Sequence, residues 1–135
     1  MALVSAKDGV ARLESLAGGL LFVSESDRPL RVVQLGPLPQ LDETALRRAL
    51  GKPEHTPVTR HALGDLFART VTDQPWHGAA DRLTVQRYRA LLDFLSSALD
   101  APRVYRVGTI EVDAYALGKT NDGQWLGVAT TLIET

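Results

Sequence analysis

The sequence predicts an α+β fold: a three-layer α-β-α sandwich on a mainly antiparallel sheet of about four strands, ending in a C-terminal β-meander. Three observations lead there. Apolar residues recur at helical spacing in four separate segments up to Leu99. After Asp100-Ala101-Pro102 the apolar period drops from 3.6 to 2. In the final strand Val128 and Leu132 fall on one side of the pleat and Ala129 and Ile133 on the other, so both sheet faces need a cover.

The first helix is predicted over Ser5 to Ala17, with Val10, Leu13, Leu16 and Ala17 on its apolar face and Gly18-Gly19 as the stop. Leu20, Leu21 and Phe22 then run toward the core. Ser24-Glu25-Ser26-Asp27-Arg28-Pro29 is dense in turn formers, and Leu30 to Leu35 has the composition of a strand. The second helix is fully punctuated: Asp42 as N-cap, Glu43 in the first turn, Arg47 and Arg48 in the last, Gly51 at the stop and Pro53 beyond. Its expected apolar face is Ala45, Leu46, Ala49 and Leu50.

A short third helix is expected from Ala62 to Arg69, followed by a loop from Thr70 to Ala80 that contains Trp76. The fourth helix, from about Leu83 to Leu99, aligns Val85, Tyr88, Leu91, Leu92, Leu95, Ala98 and Leu99 in one stripe. Strands are then expected at Arg103 to Val107, Thr109 to Lys119 and Gln124 to Ile133. Asn121-Asp122-Gly123 is the hairpin signal between the last two.

At 135 residues, with 44% hydrophobic and 23% charged, the chain is expected to form a single domain over residues 1–135 that buries its own core. Fifteen Lys and Arg face sixteen Asp and Glu, so no basic excess supports direct nucleic-acid binding. The acidic excess is also too small for a DNA mimic. The absence of cysteine excludes disulfides, thiolate zinc sites and thiol catalysis. The N-terminal segment has no charged leader followed by an apolar run, and no stretch approaches the ~20 apolar residues of a membrane span. The expected location is therefore the cytoplasm.

Catalytic and metal motifs fail on spacing. Gly118-Lys119-Thr120 matches the end of a phosphate-binding loop, but the glycine required five residues earlier is Asp113. His55, His61 and His77 lack the helical pairing or carboxylate spacing of a metal motif. No Gly-x-Ser-x-Gly elbow presents a nucleophile, which makes a small hydrolase the weakest alternative. No catalytic residue, cofactor or resident metal is assigned, and the chain is not expected to be an enzyme.

Three other places are candidates for binding. Ser24-Glu25-Ser26-Asp27 reads either as a solvated turn satisfying its own backbone or as a presented carboxylate. Trp76 reads either as core or, given polar and turn-forming neighbours and a preceding proline, as an interface anchor. The last strand stays apolar through Leu132-Ile133, so it is expected to hold Thr135 firmly. A held Thr135 offers a hydroxyl and an ionised α-carboxylate, hard oxygens suited to Mg²⁺ directly or through water.

Leu20-Leu21-Phe22-Val23-Ser24-Glu25-Ser26, the Val104-Tyr105-Arg106-Val107-Gly108 start of the meander, Gln74-Pro75-Trp76 and the closing Glu134-Thr135 together resemble the nuclease A inhibitor family. These are small proteins that block sugar-nonspecific, metal-dependent nucleases. The resemblance runs through most of the chain and is weaker over Gln34 to Thr59 and Gly78 to Arg82. Pro75 stands where the family leads us to expect an acidic residue. The resemblance implies a monomer forming a one-to-one complex with a ββα-metal nuclease. It further implies that Glu25, Gln74, Trp76 and Thr135 contact the partner, with Glu25 and Thr135 engaging its Mg²⁺. The alternative is a member that keeps the scaffold and binds a different protein.

Overall fold

The computed structural model describes residues 2–23 and 27–133. Among these residues four helices, α1 (Ala6–Ala17), α2 (Glu43–Leu50), α3 (Leu63–Phe67) and α4 (Ala79–Ala98), accompany seven strands. The strands are β1 (Leu21–Val23), β2 (Asp27–Pro29), β3 (Arg31–Pro37), β4 (Val58–His61), β5 (Asp100–Val107), β6 (Glu111–Lys119) and β7 (Gln124–Ile133). β1 and β2 form a separate antiparallel pair. The other five strands form one antiparallel sheet in the order β3-β7-β6-β5-β4.

The helix ends follow their capping chemistry. Ser5 Oγ accepts the Asp8 N–H at 3.2 Å, and Asp42 Oδ1 accepts that of Ala45 at 2.7 Å. Gly51 closes α2 in the left-handed conformation, φ 68°, which carries little penalty without a Cβ. The Asn121–Gly123 turn is also tied to α1: Asp122 Oδ1 accepts the Ala6 N–H at 3.0 Å, and Val4 O accepts the Asn121 N–H at 2.8 Å. The turn that closes the meander therefore also caps the first helix.

The expected sandwich forms because the central strands are apolar on both sides. Val104, Ala114, Ala116, Leu126 and Val128 meet Leu13 of α1, Phe67 of α3 and Leu91 and Leu95 of α4 on one face. Tyr105, Tyr115, Leu117, Trp125 and Ala129 meet Leu41, which precedes α2, and Leu46 of α2 on the other. Ile133, expected on this second face, has its side chain outside the described set. Two glycines permit close approaches within and onto the sheet. A Cβ on Gly127 would lie 1.7 Å from the Ala116 carbonyl oxygen, and one on Gly118 would lie 2.6 Å from Leu99 Cβ. Gly118 is thus a packing glycine within β6.

Several expectations change. The main sheet has five strands where about four were expected. The additional strand, β4, lies at the edge and pairs with β5 from Val58↔Val107 to His61↔Val104. A second, two-stranded element pairs β1 with β2 in a register that runs from Leu21↔Pro29 to Val23↔Asp27, and Ser24, Glu25 and Ser26 lie outside the described residues. Leu21 does not enter the core but is 47% exposed, because it alternates with the buried Phe22 on a strand covered on one side. Of the predicted α2 face only Leu46 is buried, and Ala49 is exposed. α4 begins at Ala79, four residues before Leu83, because Asp81 accepts the Gly78 N–H at 3.0 Å and starts the helix there.

Candidate functional site

The segment between α3 and α4 is held by many local hydrogen bonds. Thr70 and Thr72 hydroxyls donate to Phe67 O and Ala68 O at 2.8 and 2.7 Å, and the Val71 N–H donates to Phe67 O at 3.2 Å. Gln74 to His77 is then a β-turn closed by the His77 N–H donating to Gln74 O at 3.0 Å. Pro75 takes the second position, where its fixed φ prepares the turn. The His77 ring adds a second tie, its Nδ1 accepting the Gln74 N–H at 3.1 Å.

This turn lifts Trp76 into solvent. The indole is 72% exposed and touches the His77 ring edge-on, centroids 5.8 Å apart. The second tryptophan behaves in the opposite way: Trp125 is buried and donates from Nε1 to Leu38 O at 3.0 Å. An exposed indole on a firmly bonded turn fits an anchor for another molecule better than a core residue. Gln74, next to it, is half-buried.

Three consecutive residues of α4 join this loop to the base of the β1–β2 pair. Arg87 donates to Leu16 O and Gly18 O, at 3.3 and 2.6 Å, and the Tyr88 hydroxyl donates to Leu21 O at 2.6 Å. Arg89 turns the other way, donating from Nε to Val71 O at 2.8 Å while its Nη2 lies 3.6 Å from Asp73 Oδ2. Burial pushes the Tyr88 phenol above its usual range, against a smaller opposing effect of Arg87. The hydroxyl accordingly remains a donor. Between these tethers lies a groove of about 650 Å³, walled by Gly19 to Leu21, by Arg69, Thr70, Gln74, Trp76 and His77, and by the first turns of α4.

Glu25 and Thr135 both lie outside the described residues. Arg31 pairs with Ala129, so the chain just before it runs along the later half of β7, and β2 lies against β7. At that end Ile133 pairs with Glu111. The Thr131 hydroxyl donates to Asp113 Oδ1 at 2.9 Å, and Arg31 stands 3.9 Å from the same oxygen and 5.8 Å above the Tyr115 ring. The structure thus brings Gln74 and Trp76 together beside the base of the β1–β2 pair, and brings that pair alongside the end of β7.

Among the described residues, no group of three or more His, Cys, Asp or Glu side chains is arranged to hold a metal. No helix among them is long and apolar enough to cross a membrane. The sequence reading missed Arg69, Arg87 and Arg89 as parts of the site and treated Tyr88 only as core.

No curated protein matches the chain. The family model for nuclease A inhibitor-like protein matches residues 7–135, which takes in α1 from its second residue, the other described helices, the five-stranded sheet and the Trp76 turn. The chain belongs to the nuclease A inhibitor-like protein family.

Proposed function

We propose that the protein inhibits a sugar-nonspecific, Mg²⁺-dependent endonuclease of the ββα-metal class by entering its active-site cleft in a one-to-one complex. The observation that carries this reading is the exposed Trp76, held on a bonded turn beside the base of the β1–β2 pair, in a chain of an inhibitor family. Trp76 and Gln74 anchor the rim of the cleft. Glu25 and Thr135 supply hard oxygens to the nuclease's Mg²⁺ or its bound waters, so substrate phosphate is excluded. The inhibitor itself performs no chemistry.

The test titrates such a nuclease with the protein while DNA degradation is followed. Glu25→Gln and a chain ending at Glu134 are run in parallel. Each variant removes one charge-assisted contact and is expected to weaken inhibition by ~10- to 1,000-fold. Unchanged inhibition constants in both would refute the metal-directed mechanism. Absence of inhibition by the wild-type protein at micromolar concentration would favour a scaffold with a different protein partner.

A further inference from the structure

Among the described residues, the groove behind Trp76 holds one charge that the fold does not use, that of Arg69. Asp81 accepts the Gly78 N–H at the start of α4, and Arg87 is engaged by the carbonyls of Leu16 and Gly18. Arg69 is exposed and makes no hydrogen bond or ion pair among the described residues, although it lines the same groove. Apolar surface flanks it: Leu21 is 47% and Trp76 72% exposed, and buried Val85 lies beneath. A half-exposed leucine and an exposed tryptophan in one concavity with a free guanidinium match an amphipathic occupant carrying a carboxylate.

We propose that this groove is a second docking site on the nuclease, distinct from the contact to its metal. It takes a surface segment in which an acidic side chain seats on Arg69 and a neighbouring apolar side chain packs against Leu21 and Trp76. The inference rests on the inhibitor reading above and adds the chemistry of the partner surface. Charge places that surface. A cleft that binds phosphates is cationic and repels a guanidinium, so the counterpart of Arg69 lies on the rim, outside the phosphate path. Specificity among nucleases then depends on whether the rim carries an acidic residue at that place.

The experiment measures inhibition of a ββα-metal nuclease by the wild-type protein and by Arg69→Gln, Arg69→Glu and Arg48→Glu. Arg48 lies on α2, across the sheet from α4, and makes the same change in net charge. Arg69→Gln is expected to raise the inhibition constant about tenfold and Arg69→Glu about a hundredfold, with Arg48→Glu near wild type. The salt dependence of wild-type inhibition should shrink in Arg69→Gln. Changing acidic rim residues of the nuclease to Lys one at a time should identify one that restores binding to Arg69→Glu. Wild-type inhibition unaffected by the Arg69 changes, or weakened equally by Arg48→Glu, overturns this inference and leaves the inhibitor reading intact. A wild-type protein that does not inhibit removes both.

Discussion

Changing Tyr88 to Phe deletes one oxygen and tests how the site is held. The ring keeps its packing, with Phe22 6.5 Å and Phe67 6.3 Å away between centroids, so no cavity forms. What is lost is the 2.6 Å hydrogen bond to the Leu21 carbonyl. A carbonyl left without its buried donor costs about 1–3 kcal/mol. Leu21 is half exposed and water can partly replace the phenol, which places the effect near 1.5 kcal/mol. With a urea dependence of about 1.5 kcal/mol per molar for a domain of this size, the midpoint should fall by about 1 M. The melting temperature should fall by about 5 °C. Fluorescence of buried Trp125, recorded in a Trp76→Phe background, reports the transition without the exposed indole. A midpoint shift below about 0.3 M would refute the assigned strength of this tether. Inhibition should weaken as well, since Leu21 lies at the base of the pair that leads to Glu25. Full inhibition by a destabilised Tyr88→Phe protein would show that the tether supports the fold without placing the site.

The same hydroxyl sets an alkaline limit. Its folded pKa is raised, so the contribution is complete below the ordinary tyrosine value of about 10 and is lost as pH climbs above it; Tyr88→Phe should show a shallower alkaline decline. Asp122 acts at the other end. The Thr120 hydroxyl and the Ala6 N–H hold its carboxyl below the usual range, so its contribution is present above the ordinary aspartate value and disappears as pH falls through the depressed one. Asp122→Ala should flatten the acid limb of a stability–pH curve and speed amide exchange in the first turn of α1. Trp76→Ala should weaken nuclease inhibition by about 30-fold or more, a loss of about 2 kcal/mol, while leaving the urea midpoint unchanged. Thr130 is fully buried and its hydroxyl has no partner among the described residues, so Thr130→Val should stabilise the protein by about 1 kcal/mol in the same unfolding assay.

Sequence was most legible where chemistry is local. α2 declared itself through Asp42, Arg47, Arg48 and Gly51, and the last strand was read as Gln124 to Ile133 because its alternation and turn are both strong. The start of α4 was missed although Asp81 stands three residues after Gly78, since the apolar stripe begins only at Val85 and drew the boundary inward. β4 escaped because Val58-Thr59-Arg60-His61 is short and mostly polar, and its pairing with β5 is a tertiary fact. The exposure expected of Trp76 followed from Pro75 and its polar neighbours. The Arg87–Tyr88–Arg89 bridge could not be read in the same way, because its acceptors are backbone carbonyls that carry no residue-type signal.

The position of β7 between β3 and β6 has a consequence for synthesis. β3 leaves the ribosome early, but its sheet neighbour among the described residues begins at Gln124, so Pro37 waits for a partner 87 residues downstream. At ordinary elongation rates that interval is on the order of 10 s. During it the helices and the β4–β5–β6 portion can form, whereas β3 has nothing to pair with. Activity should therefore arrive as a late, single event when the last strand inserts, and nascent chains stalled before it should neither protect β3 from proteolysis nor restrain a nuclease.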